Sequence, residues 1–180
     1  MRRPLTFVLH TMIGLVLAGM AAAAVSPAEP YGLRVKHDLI IGAPPQRVWA
    51  AIGRVGAWWN SGHTISGDAA NLRLDLEPGG CFCERFPGGG GAHRMVVTVV
   101  EPGKFLTLSG ALGPPEEEGA PSGRLMFTLA PSAGGTRLTV TFEGGGWATN
   151  GFKEWSAPVD RVLGEQSARL KRYVETGRPD

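Results

Sequence analysis

The chain has 180 residues, of which 43% are hydrophobic, so it is long enough for one folded domain and too apolar to be disordered throughout. Its 18 lysines and arginines nearly balance 16 aspartates and glutamates, which gives a net charge of +2. A charge balance this close to neutral provides no basic surface of the kind that nucleic acid requires, and we therefore exclude a nucleic-acid partner.

Residues 1–24 have the pattern of a secretory signal peptide. Arg2 and Arg3 precede an apolar run that ends in small residues at Ala22-x-Ala24. We predict cleavage after Ala24, which leaves 16 basic and 16 acidic residues and no stable membrane anchor. The product is then exported, either to a periplasm or to the medium. Residues 25–32 form the linker to the folded domain.

The residues beyond this linker alternate in a way that predicts an α+β domain. Residues 33–41 alternate between apolar and charged side chains, as a half-buried strand does, with His37 on the apolar face. Prolines 44 and 45 suit the start of a helix that ends before Trp58 and Trp59. Six strand-like segments follow, and short turns rich in glycine and proline separate most of them, which favours antiparallel hairpins. These segments are residues 72–77, 80–86, 93–100, 104–110, 123–130 and 136–143.

The carboxy-terminal segment has the clearest pattern, because apolar residues recur at helical spacing from residue 152 onward. Ser156 is predicted to cap the helix, with residues 151–155 as a preceding turn. Val159 lies on the apolar stripe, and Gln166 is the one amide there. A helix with one wide apolar side needs a sheet to cover it.

Strand parity assigns both cysteines of the segment Cys81-Phe82-Cys83 to the apolar side of the sheet. Centring the hairpins on their glycine turns separates the side chains into two faces. The inner face collects Cys81, Cys83, Met95, Val97, Val99, Leu106 and Leu108, and the outer face collects Phe82, Glu84, Arg94, Thr98, Thr107 and Ser109. On this parity Glu84 and Arg94 form an exposed ion pair. A single bulge would reverse the parity and bring both inside, as the best catalytic or carboxylate-binding group of the chain.

The two cysteines admit four interpretations, of which packing in the core is the favoured one. A disulfide is disfavoured, because Cα atoms two residues apart on a straight strand are separated by about 6.6 Å and their side chains are parallel. A metal site is disfavoured, because one C-x-C with scattered histidines lacks the paired spacing of zinc ligands. A reactive thiol would need a base, for which His93 is the only nearby candidate. We therefore expect no metal and no other cofactor.

Five segments resemble the SRPBCC superfamily, the grouping of START proteins and the birch-pollen allergen. They are "IGAPPQRVWAAI", "GAWWNSGHTISGD", "EPGGCFCERF", "VVEPGKFLTLSG" and "VDRVLGEQSARLKRYVETG". The resemblance covers about residues 33–176 and is strongest to polyketide-cyclase-like and chaperone-ATPase-activator-like bacterial members. It implies a helix-grip fold, in which a curved antiparallel sheet of about seven strands wraps a long carboxy-terminal helix, with short helices after the first strand.

The same resemblance implies an apolar cavity between the sheet and that helix, and the candidate binding residues follow from it. Gln166 would offer its amide to a ligand oxygen, or else satisfy a buried backbone group. Trp58, Trp59, Trp147 and Trp155 would form the mouth of the cavity, or else cover the edges of the core. The other predicted lining residues are Cys81, Cys83, Met95, Leu106, Leu108 and Val159.

Three functions are compatible with these residues. The favoured one is an exported protein that binds a hydrophobic small molecule, such as a lipid, a polyketide or an aromatic metabolite, because few titratable groups converge on the inner face. The first alternative is a cyclase, dehydratase or hydrolase that uses His37 or Glu84, although no set of family catalytic residues matches here. The second is a regulatory module that binds another protein. The ligand, turnover and the oligomeric state are not determined by the sequence.

Overall fold

The computed structural model describes residues 24–25, 31–113, 120–146 and 151–180, so the predicted signal peptide falls outside it except for Ala24. The strands are β1 (Ala24–Val25), β2 (Gly32–Ile41), β3 (Leu72–Leu74), β4 (Cys81–Arg85), β5 (Gly91–Glu101), β6 (Phe105–Ala111), β7 (Ser122–Ser132) and β8 (Gly135–Gly145). The helices are α1 (Pro45–Gly53) and α2 (Lys153–Thr176), with single turns of 3-10 helix at Val55–Ala57, Ser61–His63 and Ala69–Asn71.

The strands form one antiparallel sheet in the order β1-β2-β8-β7-β6-β5-β4-β3. Successive hairpins build the run from β3 to β8, and β2 joins this run by pairing with β8 along its whole length. Seven of the strands are the predicted ones, and the two-residue β1 extends the edge beside β2. Helix α2 packs against β2 and α1. The prediction of an α+β helix-grip fold is confirmed.

Helix α2 begins four residues earlier than predicted, because its cap is Phe152 instead of Ser156. Its first residue is Lys153, so Ser156 lies inside the helix and is buried instead of capping it. Pro158 also lies within the helix, close to its start. Because proline has no N–H, one intrahelical hydrogen bond is missing there. Gly177 ends the helix with a left-handed φ of 81°, and its N–H donates to the carbonyl of Tyr173.

The hairpin between β4 and β5 turns one residue earlier than predicted and contains a bulge. Phe86 and Gly90 close the turn, so Cys83 lies opposite His93. Phe82 nevertheless lies opposite Met95, which leaves Arg94 as the extra residue of the bulge. The register that the sequence predicted here was wrong, because a bulge has no signature in an apolar–polar alternation.

The consequence is that the two sides of β4 are exchanged relative to the prediction. Phe82 and Glu84 are buried, with 3% and 2% of their surfaces exposed, and face the core. Cys81 and Cys83 lie on the outer side of the strand and are only partly buried. The prediction that the cysteines pack in the core was therefore wrong.

A second bulge lies between β5 and β6. Val97 is opposite Leu108, as predicted, but Val99 is opposite Thr107 and is 48% exposed. The inner face beyond this point is continued by Val100, opposite Leu106. Val99 was thus wrongly assigned to the core, for the same physical reason as the cysteines.

Candidate functional site

An apolar cavity of about 350 Å³ lies between α2 and the loops that approach it. Its apolar walls come from α2, from the loop after α1 and from the end of β6. These wall residues are Trp59, Leu112, Trp155, Val159, Val162 and Leu163. The polar side chains of the lining include those of His63, Thr64 and Arg94. A mainly apolar space with a few polar groups is the usual composition of a small-molecule site.

Arg94 brings a positive charge to the wall of this cavity, and the bulge aims it inward. Its Nη1 donates to Oε2 of Glu84 at 3.0 Å, and its Nη2 donates to the carbonyl of Leu112 at 3.4 Å. The Glu84 side chain is fully buried, and that of Arg94 is 11% exposed. Of the two arrangements that the sequence allowed for this pair, the structure has the inward one.

Glu84 is ionised in spite of its burial. Burial raises its pKa, but hydrogen bonds from the backbone N–H groups of Ser66 and Ile65, from the Ser66 hydroxyl and from Arg94 outweigh it. The pKa of Glu84 therefore lies below its ordinary value. Within the described part of the chain, Glu84 and Leu112 use two of the five N–H donors of Arg94, which leaves other donors with which the guanidinium can meet a ligand.

His63 is the second polar element of the wall, and it pairs with Glu165 of α2. Its Nε2 lies 3.1 Å from Oε2 of Glu165, while the side-chain amide of Asn60 donates to Oε1. The Asn60 hydrogen bond is the main reason that the pKa of Glu165 is below its ordinary value; burial opposes this, and His63 adds to the lowering. A histidine oriented by a carboxylate beside an apolar cavity is an arrangement suited to a general base.

Gln166 lies on the buried side of α2, where the sequence placed it, but its amide oxygen serves the protein. Its Oε1 accepts a hydrogen bond of 2.8 Å from the backbone N–H of Asn60. Gln166 lines a narrow space of about 10 Å³ next to Trp58 and Trp59, and it is not part of the main cavity wall. The residue thus holds the loop that carries His63, and direct contact with a ligand stays a prediction.

The structure divides the predicted binding residues between the cavity and the core. Trp59, Trp155 and Val159 line the cavity, whereas Trp58, Met95, Leu106 and Leu108 are buried without lining it. Trp58 covers the core, with its indole N–H donating to the carbonyl of Ala51 at 2.8 Å. Trp147 lies outside the described residues.

Cys81 and Cys83 line no part of this cavity, contrary to the prediction, and their sulfur atoms are joined in a disulfide. Their Cα atoms are 5.3 Å apart, which is within the range of disulfides. The prediction against a disulfide assumed a straight strand, and the observed Cα separation is shorter than a straight strand gives. The two sulfurs and a ring nitrogen of His93 all lie within 4.8 Å of one another, so among the described residues these three could hold a metal.

His37 is the other predicted catalytic candidate, and it lies away from the cavity wall. Its Nε2 is 3.1 Å from Oδ1 of Asp160, between β2 and α2. Gly164 leaves the room that its ring occupies, because a Cβ there would lie 3.0 Å from Cε1 of His37. His37 therefore links sheet and helix.

A second cleft, of about 450 Å³, lies at the edge of the sheet beside β3. It is more open, and its walls are formed by residues of β3 and β4 and by the 3-10 helix before them. Among them are Asn71, Arg73, Glu84 and Arg85. With few large apolar side chains, this cleft offers a small molecule less contact area than the cavity under α2.

Residues 42–175 match the family described as Activator of Hsp90 ATPase homolog 1-like protein. The chain belongs to this family. The match confirms the predicted membership of the SRPBCC superfamily. No curated protein matches the sequence.

Solved structures of the same fold agree with this assignment. CalU16 from Micromonospora echinospora has a TM-score of 0.57 at 18% identity, over 91% of this chain and 88% of CalU16. DynU16, from the dynemicin biosynthetic locus, has a TM-score of 0.56 at 24% identity, over 81% of this chain and 48% of DynU16. The Aha1 dimer from Colwellia psychrerythraea has a TM-score of 0.52 at 19% identity, over 80% and 97%. At these identities the likeness shows a shared fold.

The cavity residues that were not predicted from the sequence lie in irregular segments. His63 and Thr64 lie in the loop after α1, and Leu112 follows β6. The one available signal was the polar run 60–64 directly after two tryptophans.

Among the described residues, no helix combines the length and the apolar character needed to cross a membrane.

Proposed function

We propose that the protein binds a hydrophobic small molecule whose polar end carries a carbonyl or carboxylate oxygen. The single observation that carries this proposal is the position of Arg94, a charged guanidinium in the wall of an otherwise largely apolar cavity. The apolar body of the ligand lies along α2, against Trp155, Val159 and Leu163. Its oxygen accepts a hydrogen bond from Arg94.

The size and the charge of the site support this chemistry. A volume of about 350 Å³ is at the small end of the usual range for ligand sites, which favours a compact molecule over a long-chain lipid. Glu84 balances the charge of Arg94, so the pair is neutral overall and tolerates an apolar neighbour. The fold of this family is one that generally encloses small hydrophobic ligands.

The first experiment identifies what the protein retains. The purified protein is equilibrated with an extract of lipids and aromatic metabolites, separated from it, and analysed by mass spectrometry. A retained and unaltered oxygen-bearing apolar compound supports binding. Retention of no compound from a competent extract contradicts the proposal and favours the protein-partner role.

The second experiment tests the role of Arg94 with two fluorescent probes of the same aromatic skeleton. 8-Anilinonaphthalene-1-sulfonate has acceptor oxygens, and N-phenyl-1-naphthylamine has none. Arg94→Met should weaken the binding of the sulfonate probe at least about tenfold, since a charge-assisted hydrogen bond contributes about 1.5–3 kcal/mol. The uncharged probe should bind with unchanged affinity. Equal losses for both probes would show that Arg94 only shapes the cavity.

Controls for this experiment are available in the chain. Arg124→Met removes an exposed arginine that pairs with Glu143 on the neighbouring strand, and it should change neither probe. The double variant Glu84→Gln/Arg94→Met removes both charges, so that no unpaired carboxylate stays buried if Arg94→Met folds poorly. Val159→Trp fills the cavity and should abolish the binding of both probes.

The alternative of an enzyme is favoured by one specific observation, the His63–Glu165 pair beside the cavity. This pair would remove a proton from a bound substrate, as a cyclase, dehydratase or hydrolase requires. His63, and not His37, would then be the catalytic residue, since His37 lies outside the cavity. Recovery of a chemically altered compound that His63→Gln retains unchanged would establish this function.

We also propose export of the protein, on the strength of residues 1–24 alone. Replacing Ala22 and Ala24 by arginine should block cleavage of the full chain. The measurement is the mass of the protein in separated cell fractions and in the medium. An intact amino terminus in the cytoplasmic fraction of the unaltered protein would contradict export.

A further inference from the structure

A sulfur–nitrogen cluster lies on the outer face of the sheet, on the opposite side from the apolar cavity. It consists of the two sulfurs of Cys81 and Cys83 and a ring nitrogen of His93, which lie within 4.8 Å of one another. Donor atoms that share one three-coordinate metal ion lie about 3.7–4.0 Å apart, given bonds of about 2.3 Å to sulfur and about 2.0 Å to nitrogen. In the disulfide form the two sulfurs are bonded to each other, so reduction must first let them separate to this spacing before all three donors can share one ion.

The bulge creates this cluster. Cys83 and His93 are direct partners across the hairpin, and Cys81 lies two residues along on the same side of β4. Because Arg94 is the extra residue of the bulge, His93 points outward while Arg94 is available to Glu84 inside. A regular hairpin through Met95 and Phe82 would have left His93 one position out of register with Cys83.

Packing does not account for the residue types in this cluster. The core side of β4 is filled by Phe82 and Glu84, and neither cysteine contributes to the buried core. His93 is exposed and the cysteines are half-buried, so an ion reaches the cluster from solvent without opening the fold. Exposure also makes the disulfide accessible to small reductants.

We propose that the reduced form of this cluster binds one Cu(I) ion through the thiolates of Cys81 and Cys83 and the imidazole of His93. Thiolate is a soft ligand that selects Cu(I), zinc and iron–sulfur centres, and imidazole also suits copper. Structural zinc sites close with four protein ligands, and catalytic zinc sites with three protein ligands add a water as the fourth. The cluster offers three donors, and Cu(I), a d¹⁰ ion that is stable with two or three ligands, is satisfied by them without a fourth ligand.

Two balanced steps connect the disulfide to the metal-bound form. A dithiol reductant transfers two electrons and two protons to the Cys81–Cys83 bond, which gives two thiols, and the reductant becomes a disulfide. Each thiol then loses its proton to water as its sulfur binds Cu(I), and His93 binds through a neutral ring nitrogen. The copper keeps its oxidation state throughout, and the disulfide form cannot bind it because it has no thiolate.

The experiment measures Cu(I) affinity by competition with a chromophoric bicinchoninate chelator, under argon. The full protein is reduced with a phosphine, freed of reductant and compared with the same protein in its disulfide form as a matched control. We expect one Cu(I) per reduced chain and none per oxidised chain. X-ray absorption should show two sulfur ligands and one nitrogen ligand. Absence of one-to-one binding to the reduced protein overturns the proposal.

Three variants separate the ligands. Cys81→Ser and Cys83→Ser should each abolish competition with the chelator. His93→Gln should weaken the Cu(I) affinity at least about tenfold. Mutation of residues that only hydrogen-bond to a metal ligand already has an effect of this size. Equal affinity in His93→Gln overturns the three-ligand site. All three side chains lie on the outer face, and a circular dichroism spectrum like that of the unaltered protein shows that a loss is not caused by unfolding.

This site is independent of the proposed ligand cavity, since none of its residues lines that cavity. The filled-cavity variant Val159→Trp should therefore bind Cu(I) with unchanged affinity. Loss of copper binding in this variant would place the metal in the cavity instead and would overturn the proposed position.

Discussion

The two faces of β4 place neighbouring residues of one strand in opposite physical environments. On the inner face, Glu84 is fully buried and depends on Arg94 and on backbone N–H groups for its charge. On the outer face, Cys81 and Cys83 are joined to each other and approach an exposed histidine. A polar residue inside must find its partners within the protein, whereas outside it can exchange partners with solvent. The inner face is thus suited to holding a ligand in place, and the outer face to reversible chemistry.

The largest expected effect is the loss of the inner pair. Arg94→Met leaves the Glu84 carboxylate buried without its cation, and breaking a buried pair costs about 3–5 kcal/mol of unfolding free energy. We expect about 3 kcal/mol, the lower end of that range, because the N–H groups of Ser66 and Ile65 still hold the carboxylate. Urea denaturation measures the loss.

Two controls keep this test sharp. Glu84→Gln/Arg94→Met should regain part of the loss, since neither buried charge then lacks its partner. Arg124→Met, at an exposed pair, should change the stability by less than about 0.5 kcal/mol. Equal stabilities for Arg94→Met and Arg124→Met would show that the two faces do not differ in this respect.

The next effect concerns Gln166, which supports the cavity from α2. Gln166→Leu leaves the backbone N–H of Asn60 without its acceptor, which costs about 1–3 kcal/mol. Because Asn60 also holds Glu165, the variant should loosen the loop that carries His63 and weaken both naphthalene probes. Gln166→Glu, which keeps an acceptor oxygen, is the matched control. Unaltered probe affinity in Gln166→Leu would show that the loop carrying His63 does not affect binding in the cavity.

A smaller effect is expected on the outer face. Replacing both cysteines by serine opens a ring of three residues, for which chain entropy predicts a loss of no more than about 1–2 kcal/mol. Probe binding in the cavity should not change, because neither sulfur reaches it. Thermal unfolding and probe titration measure the two quantities. A change in probe affinity here would show that the faces are coupled.

The smallest effect is the dependence on pH, because only the difference between the folded and unfolded pKa contributes. The folded pKa of Glu84 lies below its ordinary value, so the stabilisation is fully present above the unfolded pKa and disappears as the pH falls through the folded pKa. Glu84→Gln should flatten the acid limb of the stability curve. An acid limb that is identical in both proteins would contradict an ionised Glu84.

The sequence was sufficient for the elements and their order, because periodicity reports which side of each element is apolar. The stripe of α2, with Val159 and Gln166 on its buried side, followed from helical spacing alone. Short glycine and proline turns marked most of the hairpins, since the backbone preferences of these residues are local. Family motifs indicated a cavity between sheet and helix; the structure has a cavity between α2 and the loops that approach it, and Trp59, Trp155 and Val159 line it.

Which side chains meet was decided by the tertiary structure. Arg94 is the extra residue of a bulge, and this bulge exchanges the two faces of β4. The apolar–polar alternation along the sequence is the same with or without the bulge, so it does not reveal which side of β4 faces the core. His63 joins Glu165 across 102 residues of sequence, through a loop without periodicity. The sequence therefore determined the framework through local, repeating preferences, while the buried ion pair and the outer sulfur cluster depend on the register of a single hairpin, which only the packed sheet fixes.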